Sequence, residues 1–433
     1  MLKFAVLSFP GTNCETETVR AFKRAGMEAE RVLWNDERLK NQSGLEEFDG
    51  YCIAGGFSYE DRGRSGVVSA QDPVMEVVRR EAERGKVVLG ICNGAQILLE
   101  SGLVPGYSNH ALGISLTWNE MREKGEIIDT GYYNVWCYLK NSAPRNRSPF
   151  NDFNEVLHVP IAHGEGRFVI PEDLLKHLEE NNQILFKYCN EDGEVEGAFP
   201  TTPNGATADA AAICNPAGNV MAMMPHPERD PKGDGHAIFH SIRRWMEEEK
   251  AFTDFSELGE GQTPTDVRPM EHFDVEVYVR LIITDNTERT LEEAIQRKGM
   301  ETQLKRFKFF GLNLKSGQQA TPELIESLMK SGELANLNKH QVYIKTAEGI
   351  FAYDKDKDLV PSDINLNPYV IAVDQKDTVG EHKADALHLH VGDSVKSIRF
   401  GVLWQFVETS EEARKQVMDS FILYNPFSMF LME

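Results

Sequence analysis

The chain has 433 residues, 41% of them hydrophobic, and sets 46 Lys and Arg against 68 Asp and Glu for a net charge of -22. That length allows one large domain with one or two small ones, and the negative excess excludes nucleic acid and anionic membrane as partners, leaving proteins and small molecules. No apolar run reaches the ~18 residues of a membrane helix, and the opening MLKFAVLSFPG carries no export signal.

In chain order, short apolar runs alternate with amphipathic segments: FAVLSF (4–9), a charged helix near 16–25, ERVLW (30–34), YCIAGG (51–56), PVMEVVRREAER (73–84) and VVLGI (87–91). This βα rhythm predicts a parallel sheet covered by helices on both faces, with ligands at the carboxyl ends of its strands. Polar, Gly-rich stretches from about 104 to 170, with YYNVWCYL (132–139) among them, predict an antiparallel insertion or edge. Regular elements return with ILFKYC (184–189), NVMAMM (219–224) and the helix HAIFHSIRRWMEEE (236–249). Residues 251–272, acidic and without apolar periodicity, read as a linker after a domain of residues 1–250.

Beyond the linker a weak repeat appears at a spacing near 90 residues. VEVYVRL (275–281), a helix ending at Gly299, FKFFGLNL (307–314), a helix over 322–332 and HQVYIK (340–345) form a βαββαβ-like unit over 273–345. YVIAV (369–373), a helix near 381–390, SIRFGVLWQF (397–406), a helix over 410–424 and PFSMFLM (426–432) repeat the order over 368–432. Phe310-Gly311 aligns with Phe400-Gly401. One irregular α+β domain is the alternative.

Three segments carry chemistry. In VVLGICNGAQILLESG (87–102) a strand runs into Gly90-Ile91-Cys92-Asn93-Gly94 and then a helix, placing Cys92 at a strained turn and a helix N-terminus that favours thiolate. In MMPHPER (223–229) two prolines predict extended backbone, which sets His226 and Glu228 on one side, a base with its orienting carboxylate. The nucleophile precedes that base by 134 residues, which suits two strand ends meeting over a sheet. The Gly55-Gly56 pair lets backbone approach a ligand, and an amide there with that of Asn93 can cradle an oxyanion. Ordinary structure is the alternative for each: a buried packing thiol, a surface histidine between prolines, a plain turn.

The six cysteines (14, 52, 92, 137, 189 and 214) lack CxxC spacing, which predicts reduced thiols in a cytoplasmic protein and argues against a disulfide framework or zinc site. Cys14 and Cys52 read as packing thiols. His388 and His390, with no third ligand at suitable spacing, read as a solvated face. His163 either borders a ligand pocket or braces the sheet.

Together these segments resemble the class I, triad-type glutamine amidotransferases, and within them the glutaminase subunit of phosphoribosylformylglycinamidine synthase. The resemblance is carried by FPGTNCETET (9–18), GGFSYED (55–61), GICNGAQIL (90–98), PIAHGEGRF (160–168), PNGA (203–206) and AAICNPAGNVMAMMPHPER (211–229), and covers residues 1–250. It implies an α/β, flavodoxin-like parallel-sheet domain that acts on L-glutamine. It further implies Cys92 as nucleophile, His226 as general base and acid, Glu228 as its orienting partner, Gly56 and Asn93 as oxyanion amides, Phe57 and Gln96 in substrate binding, and no metal. Glu60 stands where the family usually has Gly. Residues 273–345 and 368–432 resemble, twice over, the small accessory subunit of the same synthase, a fused bridge between glutaminase and synthetase. No GxxxxGK[ST] loop is present, so the resemblance places ATP and Mg²⁺ on a separate synthetase subunit and no cofactor on this chain. An amidotransferase for another acceptor, a thiol-dependent peptidase and a catalytically silent scaffold are the other readings.

Overall fold

Apolar strands that are buried on both faces need helices on each side, and the N-terminal half meets that requirement. A computed structural model describes residues 1–41, 45–252, 256–354 and 358–433. The chain divides into two units, Met1–Thr263 and Pro264–Glu433.

The first unit opens with β1 (Lys3–Ser8), α1 (Glu15–Arg24), β2 (Glu28–Leu33), β3 (Gly50–Ile53), α2 (Pro73–Glu83), β4 (Val87–Ile91) and α3 (Asn93–Glu100). Short strands β5 (Ser115–Thr117), β6 (Glu120–Glu123) and β7 (Glu126–Thr130) lead to β8 (Tyr133–Asn141), β9 (Leu157–His163) and β10 (Arg167–Val169). The unit closes with α4 (Glu172–Glu180), β11 (Ile184–Cys189), β12 (Ala210–Cys214), β13 (Val220–Met223) and α5 (His236–Glu247). Its nine-stranded sheet has the order β2-β1-β3-β4-β13-β12-β11-β8-β9. The first five strands are parallel in a flavodoxin-like arrangement, and the rest are antiparallel. Every residue of the central β4 is buried. Helices end where their chemistry ends them: α1 has Glu15 and Glu17 in its first turn and Lys23 and Arg24 in its last, each complementing the helix dipole.

Two sequence expectations change here. The strand β12, AAAIC, escapes a reading by apolar runs because small residues fill it. The linker expected over 251–272 is taken up from both ends, its residues 253–255 lying outside the described ones. Leu258 packs on the first unit's core. The Asn109 side chain pairs with Gly261 as a backbone strand would, its Oδ1 accepting from the Gly261 N–H at 3.0 Å and its Nδ2 donating to the Gly261 carbonyl at 2.8 Å. Further on, β14 (Val267–Arg268) is already a strand of the second unit.

That unit continues with β15 (Val275–Leu281), α6 (Asn286–Arg297), β16 (Gln303–Leu314), α7 (Pro322–Lys330), β17 (His340–Thr346), and a hairpin of β18 (Gly349–Asp354) and β19 (Asp358–Pro361). A second passage follows: β20 (Tyr369–Asp374), α8 (Thr378–Val391), β21 (Val395–Val407), α9 (Glu411–Asp419) and β22 (Met429–Met432). Each passage is therefore βαβαβ rather than βαββαβ, and α9 stops at Asp419, short of the expected 424, as the chain turns through Phe421 at φ 55°. All its strands join one sheet in the order β14-β22-β20-β21-β16-β15-β17-β18-β19. The order mirrors about the antiparallel β16–β21 pair, where Phe310 lies opposite its own repeat counterpart Phe400, ring centroids 5.2 Å apart. A residue facing its own equivalent is the signature of a pseudo-twofold axis. Among the described residues no helix is long and apolar enough to cross a membrane.

Candidate active site

Three neighbouring parallel strands of the first unit, β3, β4 and β13, end together, with Ile53 beside Gly90 and Ile91 beside Met223. Each of the three chemical segments is the continuation of one of these strands, so topology alone gathers them at one edge.

Cys92 follows β4 and caps α3 with φ 52° and ψ -108°, a conformation that ordinary L-residues avoid. The elbow exists because its flanks are glycine. A Cβ on Gly90 would lie 2.5 Å from the Gly94 carbonyl oxygen, and one on Gly94 only 2.0 Å from that of Ile53. The Cys92 thiol is buried and lies 4.0 Å from the Ala162 carbonyl oxygen.

Past β13, Pro227-Glu228-Arg229 forms a single 3₁₀ turn and not the extended chain expected from its prolines. Proline excludes a helix interior, not a first helical position, and Pro227 occupies the latter. The pairing survives, since Glu228 Oε1 lies 2.6 Å from His226 Nδ1 with both residues buried. His226 Nε2 is buried and has no hydrogen-bond partner among the described residues. Burial disfavours the imidazolium, but the Glu228 carboxylate and the Cys92 sulfur outweigh it and hold His226 well above the usual histidine value.

Past β3, the N–H groups of Asn13 and Cys14 both donate to the Gly55 carbonyl, at 3.2 and 3.1 Å. In a trans peptide this points the Gly56 N–H the opposite way, out of the 12–14 loop. Gly56 has φ +150°, and a Cβ there would sit 2.7 Å from the Asn13 nitrogen. The Asn93 amide lies in the first turn of α3, where amides lack intrahelical acceptors. Phe57 is 47% exposed, and its N–H is taken by the Gly11 carbonyl. Gln96 is buried and bound at both ends, accepting from Asn93 Nδ2 at 2.9 Å and donating to the Glu165 carbonyl at 2.7 Å.

Cys14 is not the isolated packing thiol its sequence context suggests. Donor atoms of Cys14, His226 and Glu228 lie within 4.8 Å of one another, all three residues buried. Arg229 Nη2 donates to Cys14 Sγ at 2.8 Å. Burial pushes the Cys14 thiol above its usual value despite His226 and Arg229 beside it. Cys52, in the middle of β3, is a packing thiol with burial raising it further. His163 is buried with Nδ1 3.1 Å from Asn119 Oδ1, and burial beside His226 pulls it down to about 3, so it stays neutral. His388 bonds Asp393 at 2.9 Å on an exposed face. All six cysteines are free.

The loop after Phe57 runs Tyr59, Glu60 and Asp61 through left-handed φ of 51°, 57° and 51°. Such a conformation favours glycine at position 60. Burial pushes the Asp61 carboxyl up to about 6, against a hydrogen bond with Ser65 that lowers it. The folded protein thus holds this proton more tightly than the unfolded chain, so the cost of ionising it is absent below about pH 4 and complete above about pH 6. Asp61→Asn is expected to stabilise the first unit by about 2 kcal/mol at pH 8 and by nothing at about pH 4, read as urea midpoints at each pH.

A model of the CobB/CobQ-like glutamine amidotransferase domain matches residues 1–256. The phosphoribosylformylglycinamidine synthase subunit PurQ of Methanothrix thermoacetophila is 42% identical over 268 residues, which are 58% of this chain and 100% of that protein. The subunit of the same name from Gloeobacter violaceus is 38% identical over 246 residues, 56% of this chain and 97% of that protein. The solved structure of PurLQS from Thermotoga maritima aligns over 57% of this chain and 99% of that one, at 30% identity and a TM-score of 0.44.

Proposed function

The chain belongs to the CobB/CobQ-like glutamine amidotransferase family, and on that premise we propose that it is the glutaminase component of a cytoplasmic phosphoribosylformylglycinamidine synthase. The observation that carries this reading is the meeting of the Cys92 elbow with the His226–Glu228 pair at the ends of β4 and β13. The relatives' name, matched over 97–100% of their length at 38–42% identity, supports the acceptor.

Cys92 sulfur attacks the side-chain carbonyl carbon of glutamine. The amides of Gly56 and Asn93 take the oxyanion, and His226 Nε2 carries the proton to the departing ammonia. Water, deprotonated by the same nitrogen, then frees glutamate from the thioester. Glu228 holds the ring with Nε2 toward the sulfur and balances the imidazolium charge. Glu228→Gln is expected to lower kcat about 10²–10⁴-fold with KM little changed, because the neutral amide no longer fixes the tautomer. Steady-state kinetics at saturating glutamine reads this out. Phe57 and Gln96 flank the glutamine site, Gln96 by fixing the Glu165 loop against α3.

Ammonia then passes to a separate synthetase subunit, which uses ATP and Mg²⁺ to convert formylglycinamide ribonucleotide to its amidine. The pseudo-twofold second unit supports reading residues 273–345 and 368–432 as two fused copies of the small accessory subunit, a bridge to that synthetase. The test is glutamate release from glutamine by the purified chain mixed with the same organism's synthetase, ATP, Mg²⁺ and formylglycinamide ribonucleotide. Release that requires both synthetase and nucleotide upholds the assignment. Release that is indifferent to the nucleotide would give the ammonia to another acceptor. No release, from a synthetase that works with added ammonium, would leave the chain a scaffold.

A further inference from the structure

The proposed reaction uses one thiol, yet two stand against the imidazole of His226. A Cβ built on Gly55 would lie 3.0 Å from His226 Cε1, 3.1 Å from Cys14 Sγ and 3.3 Å from Cys92 Cβ, so three side chains from three segments converge on one point. Only glycine at position 55 leaves room for them. Since Glu228 occupies Nδ1 at 2.6 Å, the ring nitrogen open to a ligand is Nε2, which is buried and without a partner.

We propose that Cys14 Sγ, Cys92 Sγ and His226 Nε2 form a binding site for a soft divalent cation, Zn²⁺ by its chemistry, and that the bound ion silences the thiol. Two sulfurs and an imidazole match zinc and reject magnesium and calcium, which prefer oxygen. Three protein ligands leave a fourth tetrahedral position for water. Glu228 on the far ring nitrogen completes the carboxylate, histidine, metal arrangement that orients zinc-binding imidazoles. Arg229, donating to Cys14 Sγ at 2.8 Å, supplies the N–H that a metal-bound thiolate accepts. Its charge also balances the group: the ion and Arg229 carry three positive charges, the two thiolates and Glu228 three negative. In the free protein the Cys14 thiol donates to Asn13 Oδ1 at 3.2 Å, a bond given up when the metal takes its place. Binding forms two Zn–S bonds and one Zn–N bond and sends to solvent the Cys14 thiol proton and the proton that the Cys92–His226 pair holds on Nε2, so affinity rises with pH. The silencing, unlike the binding, rests on Cys92 being the nucleophile.

The experiment is a Co²⁺ titration of the purified full-length chain at pH 7.5 or so, following the thiolate-to-cobalt charge-transfer absorption, which requires no glutaminase activity. The wild type is expected to develop the band with one equivalent of Co²⁺ and lose it to one equivalent of Zn²⁺. Cys14→Ser and Cys92→Ser are each expected to weaken binding at least ~10-fold and to diminish the band. Glu228→Gln keeps all three ligands and is expected to weaken binding about 10-fold, which decides the matter if either serine variant fails to fold. No band at one equivalent, or a band untouched by all three substitutions, would overturn the site. Either result leaves the glutaminase reading standing, and a chain that binds Co²⁺ but releases no glutamate would keep the site and lose the silencing.

Discussion

Cys92→Ala is expected to lower glutamine hydrolysis by at least ~10⁴-fold while leaving the chain folded. The loss is that large because the proposed reaction passes through a covalent bond to this sulfur, and water attacking the amide directly would inherit only the proposed oxyanion amides. Cys14 does not take over. It precedes α1 with an unstrained φ of -103°, under Arg229 and Asn13, and lacks the glycine-flanked elbow that presents Cys92. Alanine retains the left-handed backbone at position 92, so the strain is unaltered and the lost sulfur contacts cost about 1 kcal/mol. Single-turnover glutamate release measures the first effect, and a urea midpoint near that of the wild type secures the second.

Gly94→Ala is expected to cost more than about 3 kcal/mol and to take most of the activity with it. Its Cβ would sit 2.0 Å from the carbonyl oxygen and 2.8 Å from the carbonyl carbon of Ile53. Those are backbone atoms in β3, in the middle of the sheet, and cannot swing aside as a side chain would. Relief requires α3 to lift off β3, which carries Cys92 and Asn93 away from His226 and Gly56, and a displacement near 1 Å is worth about 10²-fold in rate. Gly125→Ala is the control: Gly125 has φ +84° and nothing within 4 Å, so strain alone acts there and about 1 kcal/mol is expected. Urea midpoints of the two variants separate collision from strain.

Which parts of this were legible in the sequence follows from the range of the interactions. The βα rhythm and the elbow are local: apolar runs of strand length, a cysteine between glycines, helix-forming residues after it. The relation of Cys92 to His226 is long-range in sequence but short in topology, since β4 and β13 are neighbours and both segments continue them. Cys14 was illegible for the complementary reason. Its turn, FPGTNC, lies 212 residues before His226, and only the order β1-β3-β4-β13 and the hydrogen bonds to Gly55 bring the thiol to the ring. Proline's exclusion from helix interiors misleads at Pro227, where a first helical position is allowed. In the second unit the alignment of Phe310 with Phe400 points to a repeat. That the two copies share one sheet, with those rings opposed, depends on strand pairing that no local pattern encodes. The segment near Gly261 looks like free linker because Leu258 and hydrogen bonds with Ser108, Asn109 and Leu112, not a periodic apolar face, anchor it.

The central claim is that Cys92, and not the neighbouring Cys14, attacks glutamine. The measurement that tests it most directly is covalent labelling of the full-length chain by a γ-electrophilic glutamine analogue, a diazoketone or chloroketone, with the modified peptide identified by mass spectrometry. One label per chain on Cys92, prevented by excess glutamine and lost in His226→Ala, is the predicted result. A label on Cys14 with Cys92 unmodified would contradict the account.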